Sequence, residues 1–180
     1  MQERPTIYLS KLDAAKRQLE TAIRLWFHSG DPVSVHTLAA ASHQLLHDLA
    51  KRSGISTLLR GAAQVKPEYR KEYVRMMSSY ENFFKHADRD PEKLLEFNPA
   101  ATEFFLFDAV FTYEALTTEN PPLMATFKFW ALIHHPYIRD EKAKRLFASL
   151  PGGSENAWTA MEKSEFLISF LPIAQKTGTV

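Results

Sequence analysis

Residues 101–116 read A-T-E-F-F-L-F-D-A-V-F-T-Y-E-A-L, directly after Asn98-Pro99. The Asn-Pro pair predicts a helix N-terminus, with the proline in the first turn where its missing N–H costs nothing. No face of the helix that follows is polar throughout, and apolar side chains occupy nearly all sides. A helix with that pattern is expected at the centre of a bundle, covered by others. Asp108 sits inside FFLFDAVF, and a carboxylate there must pair, bind a metal or take up a proton. Pairing with a His, Arg or Tyr from a neighbouring helix is the expected arrangement.

The flanking sequence supplies the covering helices. Ser10 with Asp13 predicts an N-cap, and Leu12, Ala15, Leu19, Ala22, Ile23 and Trp26 keep a helical period as far as Ser29-Gly30. Asp31-Pro32 predicts a second helix, running to about Arg52 and ending near Ser53-Gly54. So short a connection requires an antiparallel hairpin. Residues 53–66 are less regular, with Gly54, Gly61 and a short apolar piece at 55–59. Pro67 opens a long helix through Tyr73, Met76, Met77, Tyr80, Phe83 and Phe84, stopped by 88–91. Pro121-Pro122 open another, stopped by Pro136. Further helical pieces are expected at 141–150 and 157–175, with Pro172 ending or kinking the last. No segment alternates as a strand would. The chain is therefore expected to be all-α, an antiparallel helical bundle of about five to seven helices in a single domain over 1–180.

Composition narrows the chemistry. Twenty-two basic against 21 acidic residues leave a net charge of +1, so bulk attraction to nucleic acid is not expected. The absence of cysteine excludes disulfides, iron–sulfur clusters, thiolate zinc sites and cysteine nucleophiles. MQERPTIYLS has no apolar run behind a basic start, so no signal peptide is expected. The most apolar segment, PPLMATFKFWALIHHP, is interrupted by Lys128 and is shorter than the roughly 20 residues a spanning helix needs. A soluble, cytoplasmic protein without membrane contact is expected. No glycine-rich phosphate loop, nucleophile elbow or acidic calcium loop is present, and no cofactor is expected. Six of the 13 phenylalanines, Phe104, Phe105, Phe107, Phe111, Phe127 and Phe129, fall with Trp130 in the fourth and fifth helices and are expected in the core or a dimer interface.

Two constellations carry chemistry. In HTLAAASHQLLHDLA, His36, His43 and His47 fall within about 40° of one another on one face of the second helix. Leu38, Leu45 and Leu49 lie opposite, which places the histidines off the main core stripe. Imidazoles four apart can share a metal ion, with further ligands drawn from His86, His134, His135, Glu103 or Asp108. HEXXH and Glu-x-x-His are both absent, and His134 and His135 diverge by about 100°. The alternative is a helix edge or helix–helix contact rimmed by alanines.

The second constellation lies in YENFFKHADRDP, residues 80–91. Arg75, Ser79, Asn82 and His86 share a face of the third helix. Glu81 and Lys85 form an i,i+4 ion pair on a neighbouring face. Asn82 can orient a reactant, His86 can move a proton near neutral pH, and Arg75 or Arg89 can neutralise a phosphate. Metal-free RNA cleavage requires such a set. The plainer alternative is a helix end whose His and Lys suit the dipole.

The segment E-N-F-F-K-H resembles the R-N-x-x-x-H signature of HEPN domains, helical bundles of prokaryotic toxin, defence and RNA-processing proteins. The helical hairpin followed by a motif-bearing long helix is also similar, and the resemblance spans residues 10–119, with 120–180 as additional C-terminal helices. It implies Asn82 and His86 at the motif positions, ribonuclease activity, and a dimer interface. Glu81 stands where the family has its Arg, which reverses the charge. The resemblance therefore implies a noncatalytic binding or regulatory module, homodimeric, with an RNA or protein partner. The alternatives are a metal-free ribonuclease using His86, Asn82 and Arg75, and a metal-binding bundle using His36, His43 and His47.

Overall fold

The computed structural model describes residues 6–58, 66–88 and 90–177. Gly61 and Arg89 lie outside these residues, as do the side chains of Tyr73 and Met76. The described residues are all-helical and contain no strand.

Helix α1, Lys11–Phe27, starts at a complete capping box: Ser10 Oγ accepts from Asp13 N–H at 3.0 Å, and Asp13 Oδ2 accepts from Ser10 N–H at 3.1 Å. These bonds satisfy donors that the first turn would leave without partners, and the Ser10 hydroxyl, donating to Asp13 Oδ2 at 2.6 Å, together with Ser10 N–H holds the Asp13 carboxyl below its usual range. The helix ends where Gly30 N–H reaches Leu25 O at 2.7 Å. A Cβ at Gly30 would meet that same carbonyl at 3.0 Å, so the tight reversal favours glycine. Helix α2, Pro32–Arg52, follows at once, with Asp31 accepting from Ser34 N–H at 2.8 Å.

The long third helix expected from Pro67 is broken. A 3₁₀ turn over Pro67–Tyr69 leads into α3, Arg70–Met77, and then α4, Ser79–Lys85. Ser78 stands at the break and makes no side-chain capping hydrogen bond to the turn that follows. The bend turns Tyr80 and Phe84 onto α2, where both rings meet His36 edge-on at 5.6 and 5.8 Å.

Helix α5, Ala101–Thr117, is central as expected, with Phe105, Leu106, Asp108, Ala109, Val110 and Tyr113 all buried. It packs against α1, α2 and α6, Pro122–His134. Helices α7 (Glu141–Ala148), α8 (Ser154–Thr159) and α9 (Lys163–Thr177) close one side. A single helix over 157–175 is not what forms. The break at 160–162 lets Trp158 and Phe166 reach Phe129 of α6 at 5.5 and 6.2 Å. Pro172 lies within α9, which continues through it to Thr177.

The core is aromatic. Phe27, Phe105, Phe127 and Phe166 are fully buried, and Trp26 meets Trp130 at 4.3 Å and Phe127 at 5.2 Å. No helix among the described residues is long and apolar enough to cross a membrane.

Candidate functional site

The bend at Ser78 positions the first site. Arg75 from α3 and Ser79, Asn82 and His86 from α4 line one small cleft of about 340 Å³, so the four residues of the shared face are brought together. The loop after α4 closes the cleft with Asp88, Asp90 and Lys93. His86 is the C-cap of α4, but its backbone does the capping: His86 N–H donates to Asn82 O at 3.0 Å. Its side chain is free to face solvent, 62% exposed, with Nδ1 4.0 Å from Asp88 Oδ1. Arg75 is 82% exposed, and its nearest carboxylate, Glu72, is 4.0 Å away. Lys93 is held by Asp90 at 3.3 Å.

Glu81 is not part of this cleft. Its side chain is only 12% exposed and bonds Lys85 at 2.6 Å. Its charge is felt at His36, where it favours the protonated ring.

The histidine stripe is on the core side, opposite to the sequence expectation. Helix α2 lies between α1 and α5, so two of its flanks are covered. Ser42 Oγ donates to Ala15 O of α1 at 3.0 Å, and His36 and His43 face α5. Leu38, Leu45 and Leu49 are left half-buried at the edge. Small residues at 39, 40 and 42 permit this close approach, and α5 supplies the polar partners that buried imidazoles need.

Each imidazole has a different partner. His36 Nδ1 hydrogen-bonds Thr102 Oγ1 at 2.9 Å, while its Nε2 is buried with no partner among the described residues. The rings of Tyr80, Phe84, Phe97 and Phe105 surround it, and burial pushes its pKa down to about 4. His43 Nε2 lies 2.7 Å from Asp108 Oδ2, and Asp108 Oδ1 accepts from Leu58 N–H at 2.9 Å. A carboxylate only accepts, so His43 carries its proton on Nε2. His47 Nδ1 bonds Thr57 Oγ1 at 2.8 Å. The expected pairing of Asp108 with a histidine of a neighbouring helix is found.

The further metal-ligand candidates are elsewhere. His135 Nε2 is 3.1 Å from Glu103 Oε2, and His134 stacks on Trp130 with centroids 4.0 Å apart. Among the described residues no three His, Asp or Glu side chains converge on a point that could hold a metal ion.

A larger concavity, of about 820 Å³, opens between α5, α6, α7 and residues 56–58. Phe104, Phe107 and Phe111 of α5 form one wall, with Leu132 and Ile138 opposite and Leu146 at the α7 side. The sequence held one signal for it. Positions 104, 107 and 111 recur at helical spacing beside Asp108, but that pattern also describes a packed core.

The fold and its surface define an all-α bundle with one polar cleft and one apolar cavity on separate elements. No protein-family model matches the chain, and comparison with curated proteins and with solved structures found no match.

Proposed function

We propose that the protein is a HEPN-like, noncatalytic binding module that engages a protein partner through the Arg75–Ser79–Asn82–His86 cleft. The observation that carries this reading is the balance of charge in the cleft. Among the described residues two carboxylates, Asp88 and Asp90, stand with two cations, Arg75 and Lys93, and Asp90 already holds Lys93. A polyanion gains little there, because phosphate binding depends on an uncompensated excess of cations. The same cleft offers a mixed set of donors and acceptors in Asn82, His86, Asp88 and Arg75. Such a set suits the polar rim of a protein interface. The burial of Glu81 against Lys85 also supports the noncatalytic reading. It leaves an acidic side chain turned away at the position where the family signature has its cation.

The homodimer implied by the resemblance stays part of the proposal. Ile168 and Ile173, both exposed on α9, are apolar surface available to a second copy. Sedimentation equilibrium across a range of concentrations tests it.

The ribonuclease reading keeps one supporting observation, the gathering of Arg75, Asn82 and His86 in one cleft. A single experiment separates the two. Single-stranded RNA is incubated with the wild type and with His86→Ala, and partner capture is compared between the wild type and Asn82→Ala/His86→Ala. The noncatalytic reading expects no cleavage by either protein and partner loss in the double variant. Cleavage that disappears with His86 overturns it.

A further inference from the structure

We infer that the cavity between α5, α6 and α7 is a binding site for an uncharged, mostly apolar small molecule carrying one hydrogen-bonding oxygen: an alcohol, ketone or ester. Its volume of about 820 Å³ is in the range of small-molecule sites, which run from roughly 300 to 1,000 Å³.

The walls explain why the molecule is uncharged. Asp108 faces the cavity, but its oxygens are engaged by His43 and by Leu58 N–H. Lys128 is held by Glu114 at 2.5 Å and lies over the Phe111 ring at 4.5 Å. Asp140 caps α7, accepting from Ala143 N–H at 2.7 Å. Apart from Lys142, the charges on the cavity wall are thus already engaged within the protein. A charged ligand would lose its water without gaining a counter-ion in return. Lys142 is at the rim and exposed, where its ammonium stays hydrated.

Thr112 supplies the second observation. It lines the cavity, is 4% exposed, and its hydroxyl has no hydrogen bond among the described residues. The contrast with other helical threonines is direct. Thr21, Thr37, Thr117 and Thr126 each return the hydroxyl to the carbonyl four residues earlier, at 2.8 Å. The Thr112 oxygen is not among the buried unpartnered atoms, so it opens to the cavity, where it can bond an oxygen brought from outside. Thr112 fixes the polar end of the ligand, and Phe104, Phe107 and Phe111 cover its apolar body.

The test uses three probes of equal chain length, 1-octanol, octanoate and octylamine, with ethylbenzene as a probe lacking oxygen. Calorimetric titration of the full chain is expected to show saturable one-to-one binding of octanol. Octanoate and octylammonium are expected to bind at least about 10-fold more weakly, consistent with the cost of burying an unpaired charge. Thr112→Val, which keeps the side-chain shape, is expected to weaken octanol about 3- to 10-fold and leave ethylbenzene unchanged. Ala143→Trp, which fills the cavity from α7, is expected to abolish both while unfolding stays cooperative. Octanol binding that survives Asn82→Ala/His86→Ala separates this site from the cleft. Tighter binding of octanoate or octylammonium, an unaltered Thr112→Val, or no saturable probe overturns the inference. So does a dimer that Ala143→Trp dissociates, since the cavity would then hold a second copy.

Discussion

Replacing Asp108 with alanine removes a carboxylate that ties three parts of the chain together. Its Oδ2 accepts a hydrogen bond from His43 Nε2–H of α2 at 2.7 Å, and its Oδ1 accepts from Leu58 N–H at 2.9 Å. The side chains of His43 and Asp108 are 1% and 2% exposed, so their contact is sealed from bulk solvent although Asp108 also lines the cavity. Breaking a buried pair by deleting one partner costs about 3–5 kcal/mol, because the remaining group keeps its desolvation cost and loses the partner that offset it. At roughly 2–4 °C per kcal/mol for a chain of this size, the melting temperature should fall by about 6–20 °C. Asp108→Asn keeps one acceptor and is expected to cost less, about 1–3 kcal/mol. The assay is urea unfolding followed by far-ultraviolet circular dichroism, alongside calorimetry. A cycle with His43→Ala isolates the pair: the double variant should be less damaged than the sum of the singles by about 1–3 kcal/mol. A cost below about 1 kcal/mol for Asp108→Ala, or strictly additive singles, would refute the role given to this pair.

Other outcomes follow from the same geometry. Burial holds the folded-state pKa of His36 near 4 against 6.5 in the unfolded chain, so the unfolded state binds the proton first. The contribution of His36 is fully present above pH 6.5 and is lost as pH falls toward 4. Urea unfolding at several pH values should show His36→Phe losing less stability over that window than the wild type, and identical slopes count against the argument. Ser10→Ala removes one half of the α1 capping box and should cost about 1 kcal/mol by thermal unfolding. Pro172→Ala supplies an N–H inside α9 and should raise the melting temperature, because an interior proline costs a helix about 3 kcal/mol.

Much of the architecture was legible because local signals were complete. Ser10 with Asp13 and Asp31 with Pro32 each specify a helix start from adjacent residues alone, and both helices begin there. The all-round apolar pattern of 101–116 placed α5 at the centre for the same reason: no polar stripe was left to face water. The breaks at Ser78 and at 160–162 were not legible, since the residues there are compatible with continued helix. Tertiary contact decides them. Tyr80 and Phe84 reach His36, and Trp158 and Phe166 reach Phe129, only if the chain bends.

The histidine stripe shows why side-chain chemistry is a poor guide to burial on a helix with two covered flanks. The leucines at 38, 45 and 49 looked like the core face, yet the smaller face carrying the histidines went inside. What made this affordable was the supply of partners from distant sequence: Thr102 and Asp108 on α5, and Thr57 beyond the end of α2. Asp108 signalled its own need for a partner because a lone carboxylate in an apolar helix has few options. Thr112, four residues on, gave no such signal. A threonine in a helix ordinarily satisfies itself on the preceding turn, as Thr117 does with Tyr113. Only the folded chain distinguishes a hydroxyl that has turned back from one that has not. The polar cleft was therefore readable as a periodic face of α3 and α4, whereas the apolar cavity depends on three helices and one hydroxyl open to it, which no local pattern encodes.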